Sequence, residues 1–144
     1  MTFKPVQYWA QSTDKIFVQV KQHLVFGDIE CKLSFDKKVE LFEDSYRVTS
    51  YCYEGENAIK FYDTGLIKLA DKIDLEASSY KWDGERAVLT LGKVKKPSFQ
   101  KYLMADAVQE AKEIMVWWDM RDKYIEELEE FMEVGEDFRE AEEE

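Results

Sequence analysis

The chain has 144 residues, of which 45% are hydrophobic and 15% aromatic, and it carries a formal net charge of -11. This is the size and composition of one globular domain with a core of its own. No run of eighteen apolar residues occurs, and the opening residues lack the apolar centre of a signal peptide. The sequence therefore predicts neither a membrane span nor a secretory leader.

The negative charge is concentrated at the end of the chain. Residues 126–144 hold eleven of the 31 acidic residues and one basic residue, Arg139, so the rest of the chain is close to neutral. A neutral body lacks the basic surface that nucleic-acid binding requires. Two interpretations of the acidic tail stay open: a solvated segment that maintains solubility, or a flexible segment that touches partners or clients.

Residues 4–70 alternate between apolar and polar side chains over short runs, which is the period-two pattern of half-buried strands. Turn-forming residues such as Gly27-Asp28 and Asp63-Thr64-Gly65 separate the runs. Residues 36–38 are also predicted as a turn, and residues 66–70 fit no single assignment. This spacing predicts an antiparallel sandwich or barrel. The predicted strands cover residues 4–22 (with a bend or bulge at 11–14), 29–35, 39–43, 46–53 and 58–62.

The clearest hairpin follows. Asp83-Gly84 is a turn dipeptide, because glycine accepts the positive φ that such turns need. After it, Ala87, Leu89 and Leu91 point to one face of a strand. Before it, the alternation predicts a partner strand with a single apolar face, made of Ile73, Leu75 and Ala77.

The pattern changes to helical beyond Pro97. Residues 105–134 contain no turn former, and Asp106 and Gly135 are the predicted N-cap and stop. Trp117 and Trp118 are adjacent and cannot both face inward, so one of them is expected to be exposed. Such a helix docks on its own domain, on a second copy or on a partner. The apolar stripe at spacings of three, four and seven comprises Val108, Ala111, Met115, Trp118, Ile125, Leu128 and Met132.

Residues with potential for chemistry are few. Cys31 and Cys52 fall on inward strand positions without metal-type spacing, and are predicted as buried free thiols in preference to a disulfide. Free thiols favour a cytosolic or nuclear location. His23 has no neighbouring nucleophile motif and is predicted as a surface loop residue. Because no catalytic or metal-binding motif occurs, neither an enzyme nor a cofactor or metal is expected.

Several of these motifs together resemble the CS domain family, which includes NudC and the p-twenty-three co-chaperone. Tyr8-Trp9 with Gln11 resembles the opening strand of the family. The stretch 73–93, with its Ser-Ser-Tyr step and Asp83-Gly84 turn, resembles the NudC ending. The resemblance covers residues 6–103. Phe99 stands where the family carries a tryptophan, residues 46–70 are longer than in NudC, and the helix is not a standard element.

The resemblance implies an all-β fold: an antiparallel β-sandwich of about seven strands over residues 1–104, similar to small heat-shock proteins. The C-terminal α-helix, 105–134, and the acidic tail, 135–144, are additions. The implied partner-binding residues are the family positions together with the two helix tryptophans. Packing roles stay open for Trp9 as a core plug, and for Phe99 and Leu103 against the helix. The predicted set is Trp9, Lys93, Phe99, Tyr102, Leu103, Trp117 and Trp118.

Three functions follow from the resemblance. The first is a cytoplasmic or also nuclear co-chaperone that binds the ninety-kilodalton heat-shock protein and assists client folding. The second is a NudC-like client-holding chaperone or nuclear-movement (dynein-associated) factor, which would self-associate through the helix. The third is an isomerase producing prostaglandin E, an activity attributed to p-twenty-three-like members. It ranks last, because no residue supports it. A small heat-shock protein is disfavoured because the chain lacks a C-terminal I-x-I motif.

Overall fold

Two β-sheets packed face to face form the body of the protein. The computed structural model describes residues 2–22, 31, 33–55, 58–106 and 114–134. His23, the turn at Gly27-Asp28, the apolar positions Val108 and Ala111, and the acidic tail lie outside the described residues. The elements are β1 (Thr2–Phe3), β2 (Val6–Gln11), β3 (Lys15–Lys21), β4 (Leu33–Phe42), β5 (Ser45–Gly55), β6 (Ala58–Asp63), β7 (Ile67–Lys68), β8 (Ile73–Asp83), β9 (Arg86–Lys93), β10 (Ile114–Val116) and α1 (Trp118–Val134).

Sheet A has the order β1-β6-β5-β4, with β7 also paired to β5, and sheet B has the order β10-β2-β3-β9-β8. All pairs are antiparallel except β1 with β6 and β10 with β2, which are parallel. The predicted β-sandwich is therefore confirmed. Among the described residues it has three short strands beyond the expected seven, and both of its sheets are mixed.

The core lies where the inner faces of the two sheets meet. Val18 and Leu89 from sheet B, and Tyr46 and Val48 from sheet A, belong to one buried cluster. Tyr46 hydroxyl donates a hydrogen bond to the Gln7 side chain, which satisfies a phenol buried at the centre of the sandwich. Burial of Ala87, Leu89 and Leu91 confirms the face predicted for β9.

Two predicted boundaries in the first half of the chain are wrong. Residues 12–14 do not bend one strand; they form a hairpin turn, so that β2 and β3 pair with each other from Val6↔Lys21 to Gln11↔Ile16. Residues 36–38 do not end a strand; they lie inside β4, where the register with β5 shifts between Phe35 and Lys38. Asp36 has a φ of 48° there, a conformation that aspartate tolerates better than most residues.

The β8–β9 hairpin is confirmed, and Gly84 has the expected positive φ of 62°. The predicted single apolar face of β8 is wrong, because Ile73 is buried whereas Leu75 and Ala77 are exposed. The register shifts between Asp74 and Ser79, which interrupts the alternation. Gly92 lies opposite this bulge, and a Cβ there would stand 2.6 Å from the Cβ of Ala77, so only glycine fits.

Cys31 and Cys52 form a disulfide, so the prediction of two free thiols is wrong. Cys31 precedes β4, and Ser34 of β4 pairs with Cys52 of β5, which brings the two Cα atoms to 5.7 Å. That separation lies within the range a disulfide requires. The location inferred from free thiols loses its basis.

The C-terminal helix begins at Trp118 and not near residue 105, and it ends at Val134, one residue before the predicted stop at Gly135. The capping role of Asp106 is therefore wrong. Met115 belongs to β10, which pairs with β2 from Ile114↔Gln7 to Val116↔Trp9. Within the part of the chain that the structure describes, no helix has the length and apolar character needed to cross a bilayer.

The helix α1 docks on its own domain. The ring of Tyr124 stacks on Phe17 at 5.1 Å, on the outer face of sheet B, and Leu128 is buried. The Glu127 carboxylate accepts hydrogen bonds from the amide and hydroxyl of Thr13 in the β2–β3 turn. The first of the three docking alternatives is thus the one observed.

Candidate functional site

A buried lysine holds the chain segment that follows β9. The ammonium group of Lys93 donates hydrogen bonds to the Gln11 side-chain oxygen (2.8 Å) and to the backbone oxygens of Ser12 (2.8 Å) and Ser98 (2.7 Å). The backbone N–H of Ser98 donates to Thr13 oxygen at 2.9 Å. The β2–β3 turn and the post-strand segment are therefore joined by one polar network around Lys93.

Burial sets the electrostatics of this network. Loss of water around the ammonium group lowers the pKa of Lys93 to about 8, and the nearby carboxylates of Asp14, Asp71 and Glu127 oppose that shift. The three acceptor oxygens satisfy every donor of the charged form. Lys93 is therefore cationic at neutral pH and acts as an internal tie, with its ammonium group away from solvent.

Gln11 and Gln100 continue the network, because the side-chain amide of Gln11 pairs with both backbone groups of Gln100 as a neighbouring strand would. The Gln11 side chain donates to Gln100 oxygen at 2.7 Å and accepts from Gln100 N–H at 3.0 Å. The Gln100 side chain in turn donates to the backbone oxygen of Tyr102 at 2.9 Å. Because the backbone amides and carbonyls of Ser98 and Gln100 are all hydrogen-bonded, the segment 98–102 is held in place without belonging to a sheet.

The end of this segment is pinned to sheet A. Ala70 N–H donates to Leu103 oxygen and Ala105 N–H donates to Lys68 oxygen, both at 2.9 Å. The Leu103 side chain is fully buried in the central core. The segment is thus fixed at both ends, by Lys93 at the start and by Leu103 at the finish.

A cavity of about 190 Å³ lies between this segment, β2, β10 and α1. Its lining combines apolar surface with two cations, a composition suited to an apolar segment that carries a negative charge. Trp117 N–H donates to Trp9 oxygen at 2.8 Å, which anchors the start of α1 beside it. The lining residues are Trp9, Ala10, Gln11, Phe99, Lys101, Val116, Arg121 and Leu128.

Each of the two lining cations also approaches an exposed aromatic ring. The Lys101 ammonium lies 5.7 Å from the ring centre of Tyr102, and the Arg121 guanidinium lies 5.2 Å from that of Trp118. Tyr102 is 44% exposed and Trp118 is 60% exposed. The cavity is therefore flanked by two accessible rings, each paired with a positive charge.

A second, shallower groove of about 400 Å³ lies on the outer face of sheet B beside the start of α1. It contains both helix tryptophans together with Tyr8, Lys21 and Arg86, and Lys21 lies 5.1 Å from the centre of the Tyr8 ring. Trp117 is half-buried here and Trp118 is exposed. This agrees with the expectation that the two tryptophans cannot both face inward.

The seven predicted residues thus divide by burial. Trp9, Lys93 and Leu103 are buried in the domain and hold its structure, Trp9 as the core plug that the sequence left open as an alternative. Phe99 and Trp117 are half-buried, and Tyr102 and Trp118 face solvent. Partner binding through any of the seven stays a prediction.

Sequence reasoning missed two kinds of site residue. Gln11 was noticed as part of the opening motif, but its hydrogen bonds to Lys93 and Gln100 were not predicted. Nothing in the sequence singled out Gln100, Lys101 or Arg121, because their importance depends on contacts between distant parts of the chain. Among the described residues, no group of three or more His, Cys, Asp or Glu side chains could hold a metal ion.

No protein-family model matches the chain, and no curated protein matches it. Solved structures do. The nuclear movement protein from E. cuniculi GB-M1 is 14% identical, with a TM-score of 0.44 over 68% of this chain and 96% of that one. The CS domain of human KIAA1068 protein is 23% identical, with a TM-score of 0.48 over 72% of this chain and 76% of that one.

Heat shock protein 16.0 from Schizosaccharomyces pombe is 18% identical, with a TM-score of 0.49 over 70% of this chain and 96% of that one. A nuclear movement protein, a CS domain and a heat shock protein are thus among the solved structures that are similar to this chain.

Proposed function

We propose that the chain is a protein-binding co-chaperone module that engages the ninety-kilodalton heat-shock protein and assists client folding without catalysing a reaction. The observation that carries the proposal is the pair of accessible rings, Tyr102 and Trp118, beside a cavity lined by Lys101 and Arg121. Aromatic anchors next to cations are typical of binding hot spots.

The buried network supports this proposal through preorganisation. Lys93, Gln11 and Gln100 fix the post-strand segment before any partner arrives, so binding does not have to order it. A segment that is already ordered loses less conformational entropy in the complex. The segment is also the one that the family resemblance nominated for contact with the heat-shock protein.

Calorimetric titration into the ninety-kilodalton heat-shock protein, once with ADP and once with a non-hydrolysable ATP analogue, tests the proposal. We expect binding in the ATP-like state, weakened about tenfold by Tyr102→Ala because an exposed anchor is removed. Tyr80→Ala is the matched control, since Tyr80 is a similarly exposed tyrosine on β8. Absence of binding in both nucleotide states would refute the proposal.

The second candidate is a NudC-like, client-holding or nuclear-movement factor that acts without that partner. The exposed Trp118 at the start of α1 favours it, because such a ring is available to unfolded chains. The measurement is light scattering of a heat-denatured client, without nucleotide or other chaperones. Suppression by wild type that Trp118→Ala reduces would favour this candidate, and a stable dimer on a sizing column would add the expected self-association.

The proposed location is the cytoplasm, or the nucleus as well. The Cys31–Cys52 disulfide makes this location testable, because reducing compartments keep most thiols free. Alkylation of thiols in intact cells followed by mass spectrometry reports the state of the pair. Full oxidation there would count against a reducing compartment.

A further inference from the structure

The outer face of sheet A carries a compact apolar grid that no sequence motif marked. Two rows of three side chains lie across β4, β5 and β6, because the strand registers place them directly opposite one another. Alternation along each strand points all six away from the core. The first row is Leu33, Tyr53 and Ile59, and the second row is Phe35, Tyr51 and Phe61.

The grid is ordered and accessible. Phe35 stacks on Tyr51 with ring centres 5.4 Å apart, and Tyr51 meets Phe61 at 4.8 Å. Leu33 is 60% exposed and Ile59 is 55% exposed, although both belong to hydrogen-bonded strands. Large apolar side chains clustered in this way on a surface mark an interaction site more often than isolated ones do.

A charged pair closes one end of the grid. Arg47 donates two hydrogen bonds to the Asp63 carboxylate, at 3.0 and 2.6 Å, and on the same face Asp63 lies one row and Arg47 two rows beyond the second apolar row. The hydrogen bonds from Arg47 lower the pKa of Asp63, so the pair stays ionised at neutral pH. An apolar centre with a polar border is the usual anatomy of a binding surface.

The dimensions of the grid identify its occupant. Three neighbouring strands span roughly 10 Å, which matches the diameter of one α-helix, whereas an extended peptide would cover only one row. The six side chains present roughly 500 Å² when open, well below the 800 Å² or so that each partner contributes to a stable protein–protein interface. The grid alone is therefore smaller than the contact that a stable dimer needs, and its area suits a short helix.

The other sheet supplies a precedent within the same molecule. The outer face of sheet B is partly covered by α1, whose Tyr124 stacks on Phe17 with an interplanar angle of 15°. An amphipathic helix packed across strands is thus already how this protein covers an apolar outer face. On sheet A the corresponding stack, Phe35 on Tyr51 at 17°, is left open to solvent.

We propose that the apolar grid on sheet A binds the apolar side of an amphipathic helix of about two turns from a partner polypeptide. The grid is separate from the Tyr102–Trp118 site, and this second interaction does not require the heat-shock protein proposed above. It would let the domain hold a helical client segment while another surface engages a chaperone.

The test uses the full chain and two fluorescein-labelled synthetic peptides of identical composition. One peptide has leucines at helical spacing (i, i+3, i+4, i+7), and the other has them at alternate positions. Fluorescence anisotropy measures binding to wild type and to the double variant Leu33→Thr with Ile59→Thr. The matched control is Leu75→Thr with Val94→Thr, which removes exposed aliphatic side chains on the other side of the sandwich.

We expect the helix-patterned peptide to bind wild type and the control alike, and the grid variant about tenfold more weakly. Ile59→Thr alone should show part of that loss, so a folding defect in the double variant would not hide the result. Equal binding of the alternating peptide, equal binding to the grid variant, or no binding at all would each overturn the proposal. A wild-type dimer that the grid variant converts to monomer would assign the face to a second copy.

Discussion

The two outer faces of the sandwich present the same ring arrangement with different surroundings. On sheet B, Phe17 stacks on Tyr124 of α1 at 5.1 Å and is 7% exposed. On sheet A, Phe35 stacks on Tyr51 of the neighbouring strand at 5.4 Å and is 36% exposed. The presence of apolar side chains on an outer face therefore does not show whether that face is buried. Its burial depends on whether another element of the chain packs against it.

The paired substitutions Phe17→Ala and Phe35→Ala compare the two faces directly. We expect Phe17→Ala to lower the free energy of unfolding by about 3–4 kcal/mol, since it empties a site enclosed by the sheet and the helix. Phe35→Ala should cost about 1 kcal/mol, because its ring is already partly hydrated. Urea denaturation followed by circular dichroism measures both, and equal losses would show that α1 does not cover sheet B in solution.

The substitution Leu128→Ala tests how much the packing of α1 against sheet B contributes to stability. Leu128 is 3% exposed and lies against the cavity beside Trp9, so its truncation should lower the free energy of unfolding by about 2–3 kcal/mol. Leu33→Ala, at an open position on sheet A, is the control and should change stability by no more than about 0.5 kcal/mol. If Leu128→Ala were as mild as the control, the docking of α1 would contribute little to the fold.

The last and smallest of the three tested effects concerns the hydrogen-bond network around Lys93. The Glu127 carboxylate of α1 also acts on this network, because it raises the pKa of Lys93. The pKa of Lys93 is about 8 in the folded protein, lowered mainly by burial from the ordinary lysine value of 10.5. Between these values the unfolded chain binds more protons than the folded chain, so stability rises with pH. We expect wild type to gain about 1.4 kcal/mol of unfolding free energy between pH 7 and pH 9 relative to Lys93→Met.

Denaturant titrations of both proteins at each pH measure that difference. Because the variant cancels the contribution of all other titrating groups, the difference between the two pH profiles isolates Lys93. A difference that stays flat would mean that the three acceptor oxygens outweigh the loss of water around the ammonium. In that case the folded pKa would lie close to that of a lysine in water.

Local patterns predicted the parts of the fold that depend on local structure. The β8–β9 hairpin followed from strict alternation and from Asp83-Gly84, and both features act between neighbouring residues. The bulge that turns Leu75 outward was not predictable, because it depends on Ala77 packing against Gly92 of the next strand. The Cys31–Cys52 bond was missed for the same reason: it needs the β4–β5 register.

The helix start shows what the helical stripe missed. Met115 belongs to the predicted apolar stripe, yet residues 114–116 pair with the open edge of β2 as β10, and the β-branched Ile114 and Val116 suit a strand. Their backbone groups gain strand partners there, and the helix begins only at Trp118. Of the site, sequence reasoning predicted the exposed Tyr102 and Trp118 but placed Lys93 at a surface where the structure buries it.

The irregularity in β4 has a consequence for how the protein behaves at high concentration. Within the described residues β4 is the last strand of sheet A, and a long, regular edge invites other chains to add strands and polymerise. The left-handed Asp36 and the adjacent Lys37 and Lys38 interrupt that edge between the two halves of β4. The apolar grid on sheet A therefore adjoins an edge strand that does not offer one long, regular template for strand addition.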